Sequence, residues 1–133
     1  MRKDLDKIVV FPIIISKDEE STDYPYLVNI PDLDGMTEGK DIADAIEMAQ
    51  DYIGTYSLES ELPKSNTVIP KTGKDEIATL VTVNISEYKR KNDNRVIKKT
   101  ITIPNYLNEL GKEKGINFSE VMSNALKKEL SIQ

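Results

Sequence analysis

The sequence contains no cysteine and no histidine. Without cysteine there is neither a disulfide framework nor a thiolate metal site, and without histidine the commonest general base is missing. Catalysis by a nucleophile–histidine pair is therefore excluded for this chain. Long hydrophobic runs are lacking too: no stretch approaches the roughly eighteen apolar residues of a membrane span. The first twenty residues, MRKDLDKIVVFPIIISKDEE, have neither the apolar core nor the cleavage site of a signal peptide. The expectation is a soluble cytoplasmic protein with no membrane partner, no cofactor, no metal and no enzymatic activity.

What is present is 133 residues, 38% of them apolar, enough for one full domain and a small second one. The net charge is −5, and it divides unevenly. Residues 95–133 hold seven Lys or Arg against four Glu, or +3; residues 1–94 hold eleven against nineteen acids, or −8. Such asymmetry points to two different partners, the acidic half repelling nucleic acid and attracting something basic.

The chain is organised around residues 95–130. From 96 to 103 the residues alternate, with Ile97, Ile101 and Ile103 on one side and Lys98, Thr100 and Thr102 on the other. Period two is the mark of a half-buried strand. Pro104 ends it and suits the first turn of a helix. A helix is expected over 105–114, with Leu107 and Leu110 a turn apart and Gly115 as its stop. Asn117 and Glu120 then have capping-box spacing, and a second helix carries Val121, Met122, Ala125, Leu126 and Leu130 on one face.

A single strand leaves its ladder open and so small a core is marginal alone. The simplest partner is the same strand of a second copy, paired antiparallel about a two-fold axis with four helices over the apolar face. Lys98, Thr100 and Thr102 would then project from the other face of a ribbon that fits the DNA major groove. The stretch KKTITIPNYLNELGKEKGINFSEVMSNAL resembles the ribbon-helix-helix repressors. That resemblance implies base contacts at Lys98, Thr100 and Thr102, and a phosphate held by the amides of Phe118 and Ser119 behind Asn117. The dimer core would comprise Ile97, Ile101, Ile103, Leu107, Leu110, Val121, Met122 and Leu126. Lys99, on the nominally buried side, departs from the pattern and is expected at the ribbon's edge with its amine in water. The plainer reading is an edge strand of a larger sheet with two helices beside it.

In the N-terminal part, residues 8–15 form a β-branched apolar run, expected as a buried strand that lies at an edge or bulges at Pro12. A charged turn, a second strand over 24–30, a tight loop over 31–35 with Asp34-Gly35, and a short third strand over 36–38 follow. Asp41 is the expected cap of a helix with Ile42, Ala45, Ile46, Ala49 and Ile53 on one face. Residues 57–76 read as a long loop, 77–85 as a closing strand, and the polar, basic 88–95 as a linker.

FPIII, YLVNIPDLDGMTEG and DIADAIEMAQDYI, followed by a closing strand, resemble the N-terminal domain of HicB antitoxins, the partners of HicA toxins. Asp34 and Met36 stand where many relatives carry proline and cysteine. The resemblance implies an α+β fold, a small antiparallel sheet with one packed helix (partial ribonuclease-H-like), followed by the dimeric ribbon-helix-helix domain. The expected boundaries are 1–88 for the toxin-binding domain, 89–95 for the linker and 96–133 for the DNA-binding and dimerisation domain. It further implies binding of a small basic HicA-like toxin that cleaves mRNA, repression of the shared operon through operator DNA, and possible association beyond the dimer. The toxin-contacting residues are not assigned.

Asp32 and Asp34 are two carboxylates beside a glycine, but a calcium loop's closing glutamate is missing, and paired acids at a turn are chiefly turn formers. Tyr24, Tyr26, Tyr52 and Tyr56 read as packing or as a partner surface; Lys127 and Lys128 suit the C-terminal end of a helix dipole. Two other functions fit less of the chain: a ligand-sensing ribbon-helix-helix repressor without a toxin, and a small RNA-processing enzyme, which the absent His and Cys disfavour.

Overall fold

The computed structural model describes residues 5–20, 22–93 and 95–132. The chain divides into two compact units, Arg2–Asn94 and Arg95–Gln133.

In the first unit, β1 (Ile8–Lys17), β2 (Tyr26–Ile30), β3 (Gly35–Gly39) and β4 (Glu76–Asn84) form an antiparallel sheet in the order β3-β2-β1-β4. Helix α1 (Ile42–Glu59) crosses one face. Strand alternation sorts the side chains: Val9, Phe11, Ile13 and Ile15 of β1, Val28 and Ile30 of β2, and Val81 and Val83 of β4 are buried with Ala45, Ala49 and Ile53 of α1. Burying a Phe or Ile side chain contributes on the order of 2–3 kcal/mol, so this layer holds most of the unit's stability. The two alanines let the helix approach closely, and Gly39 lets it approach further: a Cβ there would lie 2.5 Å from the Ala45 amide nitrogen.

The start of α1 follows from its acids. Asp41 accepts the Asp44 amide at 2.7 Å, and Asp44 reaches back to accept the Lys40 amide at 2.8 Å, a reciprocal cap built from aspartates. The β2–β3 connection is a 3-10 turn, Pro31–Leu33, ended by Asp34 at φ 49°. Aspartate tolerates this left-handed conformation better than most residues. Gly35 is required for another reason: the ring of Tyr52 occupies the space of a Cβ.

Pro12 is neither on an edge strand nor at a bulge. β1 is interior, and its register with β4 runs unbroken from Ile8↔Asn84 to Ser16↔Glu76. β2, however, pairs only with residues 14–17 of β1. Beside the first half of β1 lies the α1–β4 loop: the Val10 amide donates to Ser65 Oγ at 3.1 Å and the Val10 carbonyl accepts the Asn66 amide at 3.0 Å. By strand alternation Pro12 turns its backbone to this same side, where no neighbouring strand requires its missing N–H.

The closing strand ends one residue earlier than the sequence suggests, because Ile85 opens a helix, α2 (Ile85–Asn92). The expected linker over 89–95 is therefore helical through Asn92, and Asn94 within it lies outside the described residues. Asn84 caps α2 by accepting the Glu87 amide at 2.9 Å. The helix is held by Tyr88, which packs on Gly54, and by Arg90, which makes two bonds to the Asp6 carboxylate at 2.9 and 3.1 Å.

The second unit has a segment without helix or strand followed by α3 (Asn105–Glu113) and α4 (Phe118–Glu129). The strand expected over 96–103 is not formed in the single chain. A strand is defined by its ladder, and among the described residues this segment has no neighbour to pair with.

Candidate functional site

Helix α3 starts at Pro104, whose carbonyl accepts the Leu107 and Asn108 amides at 3.1 and 3.3 Å. It stops at Gly115, which has φ +66°. The Gly115 amide donates to Lys112 and the Ile116 amide to Gly111, at 3.1 and 3.0 Å. These are the two bonds of a Schellman motif. Asn117 then caps α4, its Oδ1 accepting the Glu120 amide at 3.1 Å. The amides of Phe118 and Ser119 belong to the first turn of α4, where N–H groups have no intrahelical partner and the helix dipole is positive. That end of the helix is exposed and can receive a phosphate.

α3 and α4 are in close contact at Gly111 and Phe118. A Cβ on Gly111 would lie 2.5 Å from the Phe118 ring, and Gly111 is the one buried residue among those described in the unit. The large apolar side chains are left outside: Ile97, Ile101, Ile103, Leu107, Leu110, Val121 and Leu126 are between 43% and 87% exposed, and only Met122 of that group is half-buried. Lys98, Thr100 and Thr102 are exposed along the segment that precedes α3. The predicted residues thus share one unit and one continuous stretch of chain.

The first unit offers a different surface. Between α1 and α2, with β4 as its floor, runs an open cleft of about 490 Å³ lined by Glu47, Gln50, Asp51, Thr82, Val83, Asn84, Glu87, Tyr88 and Lys91. Gln50 donates to the Thr82 carbonyl at 2.9 Å, and the Tyr88 hydroxyl donates to Asp51 at 3.0 Å while meeting Thr55 Oγ1 at 2.9 Å. Lys91 pairs with Glu87 at 3.2 Å. That bond and the ammonium's charge hold the Glu87 carboxyl below its ordinary value. The Asp6 carboxylate likewise raises the Arg90 guanidinium.

Sequence reasoning missed this cleft because it read residues 88–95 as a linker. A signal was present: Asn84 and Glu87 have the same spacing as Asn117 and Glu120. Asp32 is engaged as a structural group, accepting both bonds from the Asn66 side-chain amide at 3.2 and 3.1 Å, and Asp34 ends the turn. Among the described residues no group of three or more acids could hold a metal ion. No described helix is long and apolar enough to cross a membrane.

No protein-family model matches the chain, and neither does any curated protein. Among solved structures, the Burkholderia pseudomallei antitoxin HicB is similar at 20% identity and a TM-score of 0.48, over 92% of this chain and 97% of that one. A chain of a toxin–antitoxin complex from Streptococcus pneumoniae is similar at 26% identity and a TM-score of 0.54, over 92% of this chain and 99% of that one. The fold of this chain is therefore similar, along nearly its whole length, to that of a component of a toxin–antitoxin complex.

Proposed function

We propose that the chain is a HicB-type antitoxin and autorepressor. The C-terminal unit pairs residues 96–103 with the same segment of a second copy, forming a ribbon-helix-helix dimer. The observation that carries this is the uncovered apolar set of an otherwise well-capped unit: two helices with defined starts and stops leave Ile101, Ile103, Leu107, Leu110, Val121 and Leu126 in water. A second copy supplies both the missing ladder and the missing cover. Lys98, Thr100 and Thr102 then face the major groove, and the Asn117, Phe118 and Ser119 end of α4 receives a backbone phosphate. A unit with net charge +3 suits this task.

The N-terminal unit, with net charge −8, neutralises a small basic mRNA-cleaving toxin. The likeness to a component of a toxin–antitoxin complex supports this, as does electrostatic complementarity. A repressor that senses a small ligand fits less well, since such sites enclose most of the ligand's surface, whereas the cleft of the first unit is open to solvent.

Light scattering of the full chain tests the dimer, and fluorescence anisotropy on its own promoter tests repression. The parent is expected to be a dimer that binds promoter DNA; Ile101→Lys is expected to be monomeric and not to bind. A monomeric parent that binds nothing overturns the ribbon.

A further inference from the structure

β4 is an edge strand nine residues long, and its outer edge is open between two bonded ends, the Glu76 amide donating to the Gly73 carbonyl and the Thr82 carbonyl accepting from Gln50. Val9, Phe11, Ile13 and Ile15 turn their backbone groups toward β4, because Val10 turns its own toward the loop at Ser65 and Asn66. Their partners Val83, Val81, Thr79 and Ile77 are thereby used. Ala78, Leu80 and Thr82 point the other way. Between those ends, among the described residues, the backbone groups of Ala78 and Leu80 pair with no strand and bond no loop on that side.

Proteins usually blunt such an edge with lysine, proline or a bulge. Here Glu76–Asn84 has none of them, and its register with β1 is unbroken. The half-exposed Ile77 stands on this same strand, at 50% exposure. Where the free stretch ends, at Thr82, the edge runs directly into the cleft, which presents Glu47, Asp51 and Glu87 against the single cation Lys91. The open edge and the carboxylate-lined cleft are one continuous surface.

We propose that this surface binds an extended, basic segment of the partner protein, which adds as a fifth strand along Ala78 and Leu80 of β4 and places a Lys or Arg side chain in the cleft beside Glu47 and Asp51. Backbone hydrogen bonds supply the pairing and the carboxylates select the cation. Charge decides against a second copy at this edge, since two units of −8 would repel each other. The proposal rests on the toxin-binding reading and adds to it the place and the chemistry.

The test uses the full chain co-expressed with the product of a neighbouring reading frame that encodes a small basic protein. Ala78→Pro removes an outward N–H that the β1 ladder does not use, and Glu47→Lys reverses charge in the cleft; a third variant, Glu19→Lys, makes the same charge change in the β1–β2 turn. Melting curves establish which variants fold, and titration calorimetry measures binding. The result expected is at least tenfold weaker binding for folded Ala78→Pro and Glu47→Lys, parental binding for Glu19→Lys, and slowed amide exchange at Ala78 and Leu80 in the parental complex. If Ala78→Pro does not fold, the amide exchange and Glu47→Lys decide. Binding by the parent with neither variant weakened and no slowing at Ala78 or Leu80 overturns the edge site and leaves the toxin reading standing. No binding by the parent overturns both.

Discussion

Gly54 and Tyr88 are in direct contact: a Cβ on Gly54 would lie 2.5 Å from ring carbons of Tyr88. The same ring's hydroxyl bonds Asp51 and Thr55, which stand one turn apart on α1. Glycine inside a helix ordinarily weakens it by about 1 kcal/mol relative to alanine. Here the glycine is what lets α2 dock on α1.

Gly54→Ala is therefore expected to reverse the usual sign. Overpacking forces the Tyr88 ring off α1 and destabilises the N-terminal unit by about 1–3 kcal/mol. Urea unfolding followed by tyrosine fluorescence reads this. A more stable variant would show that α2 is not held by this contact.

Gly111 plays the corresponding part in the C-terminal unit, where the Phe118 ring fills the place of a Cβ. Gly111→Ala is expected to separate α3 from α4 and to lower promoter affinity at least tenfold while the melting of the N-terminal unit is unchanged. Phe118→Leu in the same background relieves the clash and restores part of the binding. Circular dichroism and anisotropy check both.

Glu87 gives a dependence on acid. Its carboxyl is held below the ordinary value of 4.5 by the Lys91 bond, so the folded state binds its proton less readily than the unfolded chain. The contribution is complete above about pH 4.5 and is lost as pH falls through the lower folded value. Glu87→Gln is expected to remove this part of the acid-side slope and to leave stability at pH 7 little changed, since exposed pairs contribute little. Urea midpoints between pH 3 and 7 for parent and variant test it.

The triple change Lys98→Ala/Thr100→Ala/Thr102→Ala is expected to leave the dimer intact and abolish discrimination between promoter and random DNA, each lost base contact weakening specific binding by about 1–3 kcal/mol. Residual binding should depend less steeply on salt, because one cation per ribbon strand is gone. Anisotropy at two salt concentrations reads both effects. Unchanged promoter preference would place base reading elsewhere.

Local signals carried most of the fold. Asp41, Pro104, Gly115 and Asn117 were legible as helix punctuation because a cap or a stop depends on a few neighbouring residues. Alternation in β1 identified the core strand. What the sequence hid depends on distant partners. Pro12 sits in an interior strand because Ser65 and Asn66, more than fifty residues on, occupy the side it faces. α2 was obscured because Ile85 and Tyr88 are its apolar residues and its anchors, Gly54 and Asp6, lie far away in sequence. The acidic cleft and the open edge of β4 follow from that helix and from strand order, neither of which composition encodes. The 96–103 segment is the reverse case: its alternation is plain in the sequence, and no strand forms there in the single chain.

The central claim is one chain with two separate partners. Affinity capture of tagged full-length chain from its own cells, with parent and Lys98→Ala/Thr100→Ala/Thr102→Ala in parallel, tests it most directly. The account predicts that one small basic protein, encoded beside this chain, is recovered in stoichiometric amount by both, while promoter DNA is recovered by the parent alone. Recovery of promoter DNA with no protein partner would contradict it and leave a repressor without a toxin.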